Sequence, residues 1–365
     1  MMPARPAPYT LRVDVPGTRA PRWITAGLAV VLALWLHPVP ASAETASFDV
    51  GDQVVVAIVD RGRANDIIVR TWDRPVVQID SAEGMPAVDR RAAIFGTEKL
   101  PLTTPIPPMQ YAQGSDGFGG GMLPPEEFPY SSFRPGPHDV VRVTAEPGAH
   151  LVVTVPASTG LLRTAILGGQ TTIEGYRGAN LYAVQGNGRL LLAGVSTTAF
   201  VQLNSGRLTL EDSAFERIRL RANGAHVVFA HCRSKQIEVT TVSGPIVYDG
   251  GTFDPGLARF DSQSGDIALG SAAGAQLAGR SQSGHVFTMF DGRTPVQQAP
   301  DGTATAQVEG GGPLVNAITA HGNVFLYDGS LANRHDLPAD WRPVHAVFAR
   351  RREFPGVLLR PRSRF

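Results

Sequence analysis

A glycine closes a short polar turn at Gly169, Gly188, Gly206, Gly224, Gly244, Gly265 and Gly284, at intervals of 18 to 21 residues. Two and four residues after these glycines stand pairs such as Leu190 and Leu192, Leu208 and Leu210, and Ile267 and Leu269. After Gly224 the same places fall to His226 and Val228. The intervening positions are more mixed. Period-two alternation after a tight turn is a strand with one buried face. A second short alternation falls mid-repeat, in "RIRLR" (Ile218, Leu220) and "QIEVT" (Ile237, Val239). A two-stranded unit of about 19 residues cannot bury its own apolar face, so stacked copies must bury it for one another. The glycines then mark corners, where φ > 0 or the close approach of neighbouring rungs excludes a Cβ. The expected fold is all-β, a single-stranded parallel β-helix (a solenoid) with about 19 residues per rung. A β-sandwich is the alternative, since turns every ~8–12 residues also suit that architecture.

Two details of the repeat make sharper expectations. The tetrapeptide Ser-Gln-Ser-Gly occurs twice, ending at Gly265 and Gly284, which predicts one corner used on two successive rungs. Gly322, in "AHGNVFLYDG", lies 38 residues after Gly284, twice the interval, which leaves room for an irregular rung between them.

The flanks read differently. Arg19 and Arg22 precede an apolar run, Ile24 to Leu36, followed by "HPVPASA" with small residues at Ala41 and Ala43. That is the pattern of a signal peptide over residues 1–43 with the mature chain starting near Glu44, so the expected location is exported: periplasmic, cell-surface or extracellular. Residues 44–83 hold β-branched runs ("VVVAIV", "DIIVRTW", "PVVQID") separated by short turns and read as an N-terminal β meander. Residues 84–138 have the Pro and Gly density of an irregular insert, with Phe118, Phe128, Tyr130 and Phe133 scattered along it. Residues 139–330 are the repeat domain, and 331–365 a cap with an Arg-rich tail. Removing 1–43 takes four Arg and one Asp from 33 basic and 32 acidic residues, leaving a net charge of −2. That near neutrality gives no overall field for nucleic acid. Cys232 is the only cysteine, so no intramolecular disulfide can form.

The strings "NDIIVRTWDRPVVQID", "HLVVTVPASTGL" and the serial "GNGRLLL", "NSGRLTL" and "QSGDIAL" resemble a bacterial putative-adhesin family of exported β-strand-repeat proteins, a domain of unknown function. The resemblance covers most of residues 48–82 and 139–290. It implies an exported β-helical domain, with adhesion as the conjecture in the family's name, and it supplies no catalytic residues.

The chemistry available is sparse. His226 and His231 are five apart, which on a strand sets them on opposite faces, and His226 and His285 are three rungs apart in the expected register; no metal site is expected. A partly buried His226 and a buried free Cys232 are the readings preferred. Asp249, Asp254, Asp261 and Asp266 form the densest acidic group, and a carbohydrate-active enzyme would use that face; turn aspartates bonded to their own backbone explain them better. Neither a nucleophile elbow nor a phosphate-binding loop is present. No enzyme activity and no cofactor are therefore expected. The one dense charge feature is the tail, where Arg350, Arg351, Arg352, Arg360, Arg362 and Arg364 face Glu353 alone. Such a tail suits an anionic surface. The partners expected are envelope polysaccharide, anionic lipid or protein, and no nucleic acid; the oligomeric state is not encoded in any readable feature.

Overall fold

The structure, a computed structural model, describes residues 44–95 and 136–330, apart from 61, 63, 272–274, 291–295, 302 and 309–310. The chain divides into two compact units, Met1–Ser42 and Ala43–Phe365, and every described residue lies in the second. The signal-peptide reading of 1–43, the middle of the insert (96–135) and the tail arginines, Arg350 to Arg364, lie outside the described residues.

Every described element is a strand. The early ones are β1 (Glu44–Asp49), β2 (Val55–Asp60), β3 (Asn65–Trp72), β4 (Val76–Ser81), β5 (Ala87–Phe95), β6 (Gly136–Ala145) and β7 (His150–Pro156). The middle ones are β8 (Leu161–Ile166), β9 (Gly169–Glu174), β10 (Asn180–Gln185), β11 (Arg189–Ala193), β12 (Ser196–Glu211), β13 (Ala214–Ala230), β14 (Arg233–Thr241) and β15 (Ile246–Phe253). The last are β16 (Ala258–Ser262), β17 (Ile267–Ser271), β18 (Gln276–Ser281), β19 (Val286–Met289), β20 (Gln297–Gln298), β21 (Ala304–Val308), β22 (Leu314–Thr319) and β23 (Val324–Asp328).

These strands stack in a solenoid-like manner, as two long parallel ladders joined at corners. The first ladder runs β6, β2, β8, β10, the first half of β12, the first half of β13, β14, β16, β22, β18. The second runs β7, β3, β9, β11, the second halves of β12 and β13, β15, β17, β23, β19. Between them lies one core, in which Leu162, Leu181, Val201, Leu220, Val239 and Phe260 face Ile173, Leu192, Leu210, Phe229, Tyr248 and Leu269. The alternation read from sequence is therefore the inward set. An antiparallel sandwich is not what forms: within each ladder the strands pair in parallel, and the one pairing between chain-neighbouring strands of the two ladders, β14 with β15 at Arg233 and Ser234, is parallel too.

Four expectations need correction. The meander at 44–83 is not one, because β2 and β3 enter the parallel ladders as a tier of their own while β4 pairs antiparallel with β1 and β7. The ends of the insert at 84–138 are strand: β5 pairs antiparallel with β6 from Ala87 opposite Thr144 to Phe95 opposite Gly136. The insert reading extends to the ends a Pro and Gly density that belongs to the middle; the meander reading fails for another reason. A β-branched run states that a strand exists and says nothing about which strand lies beside it.

The third correction concerns tier order. β22 and β23 sit between β16/β17 and β18/β19, so the residues around Gly322 fill a place between the two Ser-Gln-Ser-Gly corners. A Cβ on Gly322 would lie 2.2 Å from the Gly265 carbonyl, and one on Gly284 would lie 2.1 Å from that of Gly322. The two copies are two tiers apart, and no irregular rung separates Gly284 from Gly322. The early end repeats the device, with β2/β3 inserted between β6/β7 and β8/β9. Beyond the outermost tiers the ladders continue with antiparallel strands, β5 on β6, β4 on β7 and β21 on β18. These cover edges that the stack would otherwise leave open.

The fourth is a register slip of one. Gly206 pairs with Ala225, and Val227 pairs with Ile246, so Ala225 and not Gly224 holds the corner place in its tier. Ala225 belongs to the core, and the inward residues after it are Val227 and Phe229. His226, expected inside, is exposed.

Candidate functional site

The corner built by the repeat is structural chemistry. Thr241, Ser262, Thr319 and Ser281 lie in register on four neighbouring tiers. Each of the last three accepts the N–H of the glycine three residues on: Gly265 to Ser262 Oγ at 2.8 Å, Gly322 to Thr319 Oγ1 at 3.0 Å, Gly284 to Ser281 Oγ at 2.8 Å. Two of those hydroxyls then donate across tiers, Thr319 to the Gly265 carbonyl at 3.2 Å and Ser281 to the Gly322 carbonyl at 2.7 Å. The second Ser of each tetrapeptide also donates to its neighbour tier, Ser264 to Val242 O at 3.1 Å and Ser283 to Ala320 O at 3.0 Å. Both serines of the motif therefore join one tier to the next.

The four aspartates do not converge. Asp249 is fully buried, accepting the Tyr327 hydroxyl at 3.0 Å and the Ser330 hydroxyl at 2.6 Å. Asp254 receives Arg233 Nε at 2.9 and 3.0 Å, Asp261 receives Arg259 Nε at 2.6 Å, and Asp266 accepts the backbone N–H of Asn323 at 2.8 Å. The local-turn explanation offered for them is replaced by bonds to other tiers for three of the four. His226 and His285 sit four tiers apart along the second ladder, and His231 lies 3.6 Å from Asp212. Cys232 is buried and its thiol is pushed up to about 12 by burial, which removes the thiolate at neutral pH. Among the described residues no three metal-ligating side chains gather.

A different surface does assemble. The outward residues of the first ladder, from β13 to β18, form three columns across five tiers. One column is Arg217, Gln236, then Leu257 (the residue before β16, whose carbonyl accepts the Ile237 N–H at 2.7 Å), Leu314 and Gln276; the next Arg219, Glu238, Arg259, Asn316, Ala278; the third Arg221, Thr240, Asp261, Ile318, Arg280. The ladder carries no register shift here, so the columns are straight. Arg217 Nε donates to Gln236 Oε1 at 2.6 Å and Arg219 Nε to Glu238 Oε2 at 2.9 Å. Four large apolar side chains are exposed among the described residues, and three of them stand on this face: Leu257 at 56%, Leu314 at 46% and Ile318 at 37%. The sequence showed the arginines of "RIRLR" as the polar side of a strand and no more. What makes it a face is the company of other tiers, from β14, 19 residues on, to β22, whose Asn316 stands 57 residues after Arg259 in the same column.

A family model described as Toastrack DUF4097 matches residues 148–326. That segment is similar to the Toastrack family. The match takes in the tiers from β8 to β23 and with them the whole three-column face, and it agrees with the adhesin-type, unknown-function family that the sequence strings resemble. Among solved structures, a putative cell adhesion protein from Clostridium sporogenes ATCC 15579 is similar over 79% of this chain and 100% of that one, at 8% identity and a TM-score of 0.26; a likeness that low carries no argument. No curated protein matches the chain.

Proposed function

We propose that this chain is an exported, adhesin-like β-repeat protein with a non-catalytic binding or structural role at the cell envelope, carried on a single-stranded parallel β-helix. The observation that carries the reading is the exposed three-column face, which joins arginines, amides and bare aliphatic side chains in one flat register on the Toastrack-like segment. Large apolar residues gathered on a surface mark a place where something docks. The same reading is supported by the aspartates, whose oxygens are bound to Tyr327, Ser330, Arg233, Arg259 and Asn323 and so lack the paired, facing geometry of glycoside chemistry. The apolar run and small residues before Glu44 supply the export half of the proposal.

Two measurements test it. Cell fractionation should place the chain with the envelope or outside the cell; recovery from the cytoplasm overturns the reading. Incubation with acidic polysaccharides should release no new reducing ends and no unsaturated products. Release that disappears in Asp261→Ala and Asp266→Ala would establish the enzyme reading instead.

A further inference from the structure

We propose that the three-column face binds the anionic headgroup surface of a lipid bilayer. The inference rests on the envelope role proposed above and names its partner. Three properties of the face point there. Its charge is positive: Arg217, Arg219, Arg221, Arg259 and Arg280 stand against Glu238 and Asp261, each of which is already bonded to an arginine of the same face. A second copy of the chain docked face to face would set like charge on like, so this surface does not pair with itself.

Its area is small. Five strands at the ordinary ladder spacing and three alternate positions along each span roughly 300 Å². A stable protein partner needs about 800 Å² on each side. Lipid headgroups have no such threshold, because they move laterally to meet each cation and every contact adds to the last.

The aliphatic residues make the third point. Leu257 and Leu314 each stand one residue before the register pair Ala258–Val315, and Ile318 stands four residues along the same strand as Leu314. A soluble polyanion engages the arginines and leaves these three side chains in water. A bilayer takes both, since aliphatic groups seat at the acyl boundary while guanidinium groups stay with the phosphates. The mode proposed is attachment by the face of a sheet; the described residues contain no helix long and apolar enough to cross a membrane.

The test is co-sedimentation of the full chain with phosphatidylcholine vesicles, plain or doped with phosphatidylglycerol, across a salt series. The parent should sediment with doped vesicles only and release as salt rises. The triple variant Arg217→Gln, Arg221→Gln, Arg280→Gln should lower partitioning about a hundredfold, near fivefold for each arginine. The triple variant Leu257→Ser, Leu314→Ser, Ile318→Ser should lower it about tenfold or more and leave the salt slope unchanged. The aliphatic variant should melt like the parent, since Leu257, Leu314 and Ile318 are exposed, and the arginine variant should melt within a few degrees of it, since Arg217 and Arg221 are half-buried and Arg280 is exposed. A chain ending at Ala349, which removes the tail arginines, should still bind doped vesicles. The inference is overturned if both triple variants sediment like the parent, if the truncated chain does not bind at all, or if dextran sulfate strips the parent from vesicles while the aliphatic variant binds as the parent does. In any of those cases fractionation of the parent with the envelope would leave the broader proposal standing, and its absence from the envelope would remove that proposal on separate grounds.

Discussion

Tyr182 and Phe200 share an outward column with Arg219, Glu238 and Arg259, on consecutive tiers of one ladder. In the early tiers that outer face is apolar and buried: Leu161 is 1% exposed, Tyr182 3%, Val184 3% and Phe200 2%. The Tyr182 and Phe200 rings stack at 5.1 Å, and Arg163 lies over Tyr182 at 5.3 Å. From β13 to β16 the column is charged, with Arg219 and Glu238 half-buried and Arg259 exposed. The second ladder reverses the arrangement. Its early outer face carries Arg70 and Glu174, paired at 3.0 Å, whereas its late outer face buries Val228, Val247, Ala268, Phe325 and Tyr327. Inside, the tiers are alike from end to end. What the difference teaches is that a stacked fold specifies itself through its inward residues and its corners, and leaves each outward face free to be buried or to bind.

The comparison can be broken or sharpened by substitution, beginning with the corners, where the two halves of the stack differ in backbone conformation. Gly188 in the early half has φ +113 and its Cβ would lie 2.0 Å from the Gly169 carbonyl; Gly244 in the late half has an ordinary φ, with a Cβ 1.7 Å from the Ala225 carbonyl. Gly188→Ala should cost about 4 kcal/mol or more, because it combines left-handed strain with a backbone clash. Gly244→Ala meets the clash alone and should cost ~1–2 kcal/mol less than Gly188→Ala. Equal urea midpoints for the two variants would show that the positive φ contributes nothing.

On the outer face, Phe200→Ala should cost about 3–5 kcal/mol, the range for a buried aromatic, read from the same unfolding curves. A loss below about 1 kcal/mol would mean the early face is only nominally buried. Further toward the early end, Asp60 is 5% exposed, accepts the Gly62 N–H through Oδ1, and has no hydrogen-bond partner for Oδ2 among the described residues. Burial pushes its carboxyl up to about 6, against a smaller downward pull from the Gly62 N–H. The folded state therefore favours the protonated form. The stability this confers is fully present below the unfolded value near 3.8 and is lost as pH rises through about 6. Asp60→Asn should accordingly stabilise the chain by up to about 3 kcal/mol at pH 8 and by almost nothing at pH 4. A gain that is the same at both pH values would exclude titration of Asp60 as its source.

The late face should be nearly indifferent. Glu238→Gln removes an exposed pair with Arg219 and should cost less than about 1 kcal/mol. Ile318→Ala should stay within about 0.5 kcal/mol of the parent, an effect so small that its interest lies in the contrast with Phe200→Ala. A large loss at Ile318 would place it in a packed surface and remove it from the binding face.

Much of this architecture was legible in advance. Leu190 and Leu192, or Ile267 and Leu269, are inward because their own strand alternates, and no neighbour is needed to know it. Gly188 and Gly206 mark corners for an equally local reason, a left-handed φ that side chains rarely adopt. Gly224 misled because it stands one place before the residue that packs, and Ala225, whose methyl joins the core, carries no turn signal of its own. His226 was misplaced by the same single step. The face was hidden altogether: Arg217, Arg219 and Arg221 were visible as polar positions, while the charge reading fell on Arg350 to Arg364, which lie outside the described residues.

The sequence by itself determined an all-β chain, the repeat length, the inward side of most strands and most of the corners. Each follows from alternation, φ or composition within a few residues. Only the tertiary structure decided that residues 314–328 lie between the two Ser-Gln-Ser-Gly tiers, that β2 and β3 lie between β6/β7 and β8/β9, and that Arg259 and Asp261 stand beside Asn316 and Ile318. A parallel ladder bonds through backbone groups that every residue but proline carries in full. Any strand of the right inward pattern can therefore take any place in the stack, and the order is set by packing between tiers that no local stretch records.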